Sequence, residues 1–174
     1  MRSGRRGCEQ EYTTGVVNNG KDRNGAFRNM HVLVVTGGNV NLNFAREYIK
    51  TLSCDKVFAV DKGLQYVREM GLLPDRIIGD FDSLDAGILE EYEGSMQFHP
   101  VIERHPVNKD ATDTELALFR AKEDGADLVT ILGATGNRMD HVLANLNLLM
   151  PMAAAGVSCV IVDETNRIRL VGDV

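Results

Sequence analysis

The chain has 174 residues, 44% of them hydrophobic and 25% charged, with a net charge of −6. That suits one soluble globular domain with enough apolar material for its own core. Cys8, Cys54 and Cys159 are far apart and form no Cys-x-x-Cys pair, which excludes a disulfide scaffold or zinc module and favours a reducing cytoplasm. No run of 18 apolar residues offers a membrane helix, and Arg2, Arg5 and Arg6 are not followed by the apolar segment of a secretory signal. Residues 1–30 hold six Lys/Arg against three Asp/Glu, and the remainder holds 13 against 22. So acidic a body does not grip a nucleic-acid backbone, although metal ions can mediate its contact with a polyphosphate.

Residues 1–30, rich in Gly, Asn, Arg and Thr, are expected to be a disordered or loosely attached extension. Order is expected from His31, where Val32 to Val35 is a β-branched run ending in Thr36-Gly37-Gly38, a buried strand and a tight turn. Leu42, Ala45, Ile49 and Leu52 then fall at helical spacing. Val57 to Val60 is a second buried strand, followed by Asp61-Lys62-Gly63 and a short helix on Leu64, Val67 and Met70 that Gly71 closes. Arg76 to Ile78 is a third strand. A short helix over Asp85–Glu91 and a strand over Met96–Ile102 follow. A strong helix is expected from Thr112 to Asp124, then a strand over Leu128–Leu132, a helix from about Asn137, and a strand over Val157–Val162. Pro151 should kink or restart the helix it falls in, Met139, Leu143, Leu146 and Met150 read as its core stripe, and Arg167–Val171 reads as the return of an antiparallel hairpin. Such strand–helix alternation predicts an α/β fold: a three-layer, mostly parallel, Rossmann-like sheet with helices on both faces over residues 31–171. Ligands of such sheets collect beyond the carboxyl ends of the strands, where this chain puts its polar clusters.

Three clusters carry chemistry. In Gly79-Asp80-Phe81-Asp82-Ser83, an extended backbone through Phe81 would point Asp80 and Asp82 to the same side, a pairing that suits a hard divalent cation such as Mg²⁺. The competing account is a solvated acidic turn that caps the next helix. In Lys109-Asp110-Ala111-Thr112-Asp113-Thr114-Glu115, Thr112 and Glu115 fit a capping box, while Asp113 could be a further carboxylate for the cation and Lys109 a phosphate partner. Gly133-Ala134-Thr135-Gly136-Asn137-Arg138-Met139-Asp140-His141 joins a strand to a helix. Its small residues allow an anion close approach, and Arg138 either meets phosphate or pairs with Asp140. His141 reads as a helix residue rather than a catalytic base. Neither the Walker pattern nor the dinucleotide fingerprint is present.

These clusters, with Asp61-Lys62-Gly63-Leu64 before them and Asp163-Glu164-Thr165-Asn166 after them, resemble the thiamine pyrophosphokinase family over about residues 31–171. The resemblance implies transfer of a diphosphoryl group from ATP to the hydroxyl of thiamine, giving thiamine diphosphate and AMP. It implies Mg²⁺ on Asp80, Asp82 and Asp113, with Asp61, Arg138 and Asp140 also catalytic. Gly37, Gly38, Lys109, Thr112, Gly133, Thr135, Gly136, Arg138 and Asn166 would bind the nucleotide. Asn137 stands where the family often has a second glycine, a mild departure because Asn tolerates left-handed backbone. The family is a homodimer whose thiamine pocket draws on a C-terminal β-sandwich, expected to begin at 172–174 and absent from this chain. Two other readings stay open: an inactive nucleotide-binding fragment lacking the thiamine-binding domain, and a metal-dependent phosphohydrolase.

Overall fold

The structure, a computed structural model, describes residues 29–82, 84–95, 97–105, 111–136 and 138–172. The expected extension therefore lies outside the described residues for 1–28, as do Ser83, Met96, Lys109, Asn137 and the last two positions of the expected 172–174 boundary. Met30 donates its N–H to Asp127 Oδ2 at 2.8 Å and leans on the core beneath.

Seven strands form one sheet: β1 (His31–Val35), β2 (Lys56–Val60), β3 (Arg76–Gly79), β4 (Val101–Arg104), β5 (Leu128–Leu132), β6 (Ser158–Val162) and β7 (Arg167–Arg169). Their order across the sheet is β4-β3-β2-β1-β5-β6-β7, parallel throughout except for the antiparallel β7. β7 confirms the expected hairpin; it has three residues, with Arg167 and Arg169 exposed on either side of half-buried Ile168. β4 runs later than the expected Met96–Ile102. Its backbone pairs with β3 from Val101 to Arg104, while Phe98 instead packs beneath the sheet.

Five helices join the strands: α1 (Leu42–Lys50), α2 (Gly63–Glu69), α3 (Ala86–Glu93), α4 (Asp113–Glu123) and α5 (Met139–Ala154). Alternation along β1 divides the core between two faces. Val32 and Val34 meet Leu118 of α4 and Leu149 and Met152 of α5, whereas Leu33 and Val35 meet Ala45 of α1, Leu64 and Val67 of α2, and Leu89 of α3. Burying both faces explains the unbroken apolar runs of β1, β2 and β5.

α5 departs from expectation twice. It runs unbroken through Pro151, whose missing N–H releases only the carbonyl of exposed Asn147 in the last turns, where water can serve it. Its buried stripe is Asn145, Leu149 and Met152, with Leu146 and Leu148 partly covered, while Met139, Leu143 and Met150 are 66%, 54% and 68% exposed. Apolar residues occur on almost every side of α5, so two stripes share the same spacing and only the register against the sheet selects one.

An ion cluster fixes α4. Arg76, beginning β3, bonds Glu103 of β4 and Asp124 at the end of α4. Lys56 Nζ reaches Asp124 Oδ2 at 2.8 Å, and Arg120 Nε reaches Glu103 Oε2 at 2.8 Å. Burial pushes Glu103 and Asp124 up, but these cations outweigh it and hold both carboxyls below their ordinary range. With that end anchored at the amino ends of β2 and β3, the first turn of α4 projects toward the carboxyl ends.

Candidate active site

The strand order reverses between β1 and β5, because β2 to β4 lie on one side of β1 and β5 to β7 on the other. The loops after these two strands are joined there, Gly38 N–H donating to Gly133 O at 3.0 Å. A side chain on Gly38 would overlap that carbonyl, and Gly133 is left-handed (φ 74°) beside Thr36 O, so glycine is required at both positions. Above this junction lies a cavity of about 660 Å³. Its size and its place at a topological switch point suit a small-molecule site.

Six segments line the cavity: Thr36 to Asn39 after β1, Val60 to Lys62 at the end of β2, Asp80 after β3, Ala111 to Thr114 at the start of α4, Gly133 to Gly136 after β5, and the first turns of α5. The structure thus brings Gly37, Gly38, Asp61, Asp80, Thr112, Asp113, Gly133, Thr135, Gly136 and Arg138 to one place. Asp80 and Asp113, 33 positions apart in the sequence, line the same wall because α4 begins beside the β3 loop. Thr112 caps that helix, Oγ1 accepting the Glu115 N–H at 3.1 Å as the capping box predicts.

Asp82 is placed differently. Phe81 adopts a left-handed φ of 62°, which ends the extended backbone, and Asp80 Oδ1 accepts the Asp82 N–H at 3.0 Å in a tight turn. The extended backbone on which the expected same-side projection of Asp80 and Asp82 depends is therefore absent. Phe81 is buried, and Asp82 lines a neighbouring cavity of about 300 Å³ together with Asp80, Glu90, Glu93 and Arg104.

Asp61 organises this corner. It is itself left-handed (φ 48°), and its Oδ1 accepts the Asp80 N–H at 3.2 Å. Burial, then the charges of Asp113 and Asp80, push its carboxyl up to about 6. Asp140, by contrast, lies outside the cavity lining and is gripped by Arg138, Nε to Oδ1 at 3.0 Å and Nη2 to Oδ2 at 2.5 Å. That fork draws Asp140 down to about 2. Asn166 does not line the cavity either; its amide reaches Asp163 Oδ1 at 2.9 Å within the β6–β7 turn.

Sequence reasoning gave no role to two lining residues. Lys62 adjoins Asp61 and is the cation nearest to it in sequence. Asn145 is a buried amide in an apolar helix, a polar residue that demands a partner, and its Nδ2 donates to Ala134 O at 2.9 Å to hold the glycine loop against α5. Exposed His141 also lines the cavity, with Nε2 4.0 Å from Asp140 Oδ2.

A divalent cation fits the donor chemistry. Burial is the larger cause of the raised Asp61 carboxyl, but the charges of Asp113 and Asp80 also reach it, and the three side chains offer hard oxygen donors. Among the described residues no three His, Cys, Asp or Glu side chains stand close enough to hold an ion unaided.

Among the described residues no helix is long and apolar enough to cross a membrane. Residues 49–161 match the model of the thiamin pyrophosphokinase catalytic domain. The thiamine pyrophosphokinase of Bacillus subtilis (strain 168) is 33% identical over 111 residues, covering 64% of this chain and 50% of the relative, so the chain spans about half the length of that protein. Among solved structures, the Bacillus subtilis enzyme has a TM-score of 0.64 at 28% identity, covering 77% of this chain and 61% of its own. A thiamin pyrophosphokinase family protein from Enterococcus faecalis has a TM-score of 0.61 at 34% identity, covering 80% and 64%. The Candida albicans enzyme, at 18% identity and a TM-score of 0.59 over 78% of this chain and 59% of its own, shares the fold. By its sequence and by the architecture around the β1–β5 junction, the chain belongs to the thiamin pyrophosphokinase catalytic-domain family.

Proposed function

We propose that the cavity at the β1–β5 junction binds ATP with Mg²⁺, and that the protein transfers a diphosphoryl group to the hydroxyl of thiamine, releasing AMP. The observation that carries this reading is the convergence of Asp61, Asp80 and Asp113 with two glycine loops around one cavity. Carboxylates beside backbone that lacks side chains suit a metal-bound polyphosphate and little else. Asp80 and Asp113 would hold the ion, which supplies neutralisation of charge on the phosphate oxygens. Whether Asp82 joins them is measured by Asp82→Ala, which in this reading abolishes turnover while the fold stays intact.

The chain's own residues divide the remaining work. Gly37, Gly38, Gly133 and Gly136 admit the phosphates close to the backbone, and Thr112 and Thr135 border them. Arg138 can exchange Asp140 for a phosphate oxygen, since both side chains are exposed. Asp61 is suited to orient the acceptor hydroxyl and take its proton, because it lines the cavity and Asp140 does not.

The test is chromatographic: the full chain is incubated with ATP, Mg²⁺ and thiamine, and AMP and thiamine diphosphate are measured. Equal, Mg²⁺-dependent yields of both support the reading; release of inorganic phosphate without thiamine diphosphate overturns it. One other outcome is a nucleotide-binding unit without transferase activity. Calorimetry distinguishes this, with Mg·ATP binding and no thiamine binding.

A further inference from the structure

The cavity holds a concentration of carboxylates, yet a nucleoside triphosphate brings several more negative charges. Two lining cations are described, Lys62 and Arg138. Arg138 is bound to Asp140 through Nε and Nη2. Lys62 makes no ion pair among the described residues. Its backbone follows Asp61 at the end of β2, and its Cβ stands over Gly37, so close that a Cβ at position 37 would come to 3.3 Å from it. The absence of a side chain at Gly37 thus leaves room for the lysine stem beside the first glycine loop. Nζ lies 5.9 Å from the Tyr66 ring centroid, one helical turn on, a weak hold that does not neutralise the ammonium.

Resting on the nucleotide reading above, we propose that Lys62 is a phosphate-binding residue that takes the outer phosphates of a nucleoside triphosphate. It supplies a second positive charge beside Arg138, whose guanidinium is shared with Asp140. A lysine is suited to this place because a compact ammonium on a flexible stem follows a phosphate without demanding one planar geometry. Its partner is therefore defined by the number of negative charges, and a nucleoside monophosphate should gain little from it.

Calorimetric titration of the full chain with Mg·ATP and with AMP tests the proposal in the wild type, Lys62→Met and Lys62→Arg. Lys62→Met keeps the apolar stem and is expected to weaken Mg·ATP binding about tenfold, while AMP stays within about twofold. Lys62→Arg restores Mg·ATP to within about threefold of the wild type, since the charge is retained. Raising the salt should narrow the gap between wild type and Lys62→Met, and the thermal midpoints should coincide because the side chain is exposed. Mg·ATP binding by Lys62→Met at wild-type strength, or equal losses for ATP and AMP, overturns the role of Lys62 and leaves the nucleotide reading standing. A wild-type chain that binds no Mg·ATP overturns both.

Discussion

The Asp61 carboxylate accepts the backbone N–H of Asp80 at 3.2 Å, so the end of β2 holds the turn that follows β3. The contact exists because position 79 carries no side chain; a Cβ there would overlap Asp61 Oδ1. Gly79→Ala is therefore expected to push Asp61 away and release the left-handed turn at Phe81. The expected cost is about 2 kcal/mol, roughly a 5 °C drop in thermal midpoint for a chain of this size. Mg·ATP affinity should fall with it. A midpoint equal to the wild type would show that the two loops do not depend on each other.

Asn145 gives the glycine loop a second point of attachment, through Ala134 O. Asn145→Leu keeps the volume and leaves that buried carbonyl without its donor. The expected loss is about 1–2 kcal/mol of stability, read from denaturant unfolding, together with several-fold weaker nucleotide binding. Unchanged binding in a destabilised variant would confine Asn145 to the core.

Acid should unfold the protein partly through Asp163. Burial pushes this carboxyl up, but hydrogen bonds from the Asn166 side chain, the Thr165 backbone and the side chains of Thr135 and Thr165 outweigh it and bring it to about 2. A carboxyl depressed in the folded state stabilises fully above its unfolded value near 4 and loses that contribution as pH falls toward 2. Asp163→Asn should cost about 1–2 kcal/mol at pH 7 and flatten the loss of stability between pH 4 and 2. Denaturant midpoints measured along that interval decide it. Parallel wild-type and variant curves would refute the assignment.

Much of the sheet was legible because each parallel strand needs apolar side chains on both faces. Val32 to Val35, Val57 to Val60 and Leu128 to Leu132 announce themselves as unbroken β-branched and aliphatic runs, and the Thr112 cap fixed the start of α4. That start, and strand ends sharing one rim, permitted Asp80 and Asp113 to line one cavity without requiring it. The turn at Phe81 was not legible, since nothing in an aromatic residue favours left-handed backbone. It depends on a carboxylate 19 residues earlier, which local pattern does not reveal. The buried face of α5 was equally hidden: Met139, Leu143, Leu146 and Met150 follow the same four- and three-residue spacing as Asn145, Leu149 and Met152. The pairing of Arg138 with Asp140 was one of two readings that spacing allowed, and the structure shows it on the surface.

The brevity and charge of β7 bear on how the protein behaves when crowded. An outermost strand presents unsatisfied amides and carbonyls to any passing chain. Here a newcomer would have to strip water from the guanidinium groups of Arg167 and Arg169, and a second molecule of the same sequence would bring two more like charges against them. That margin is built to resist fibrillar stacking.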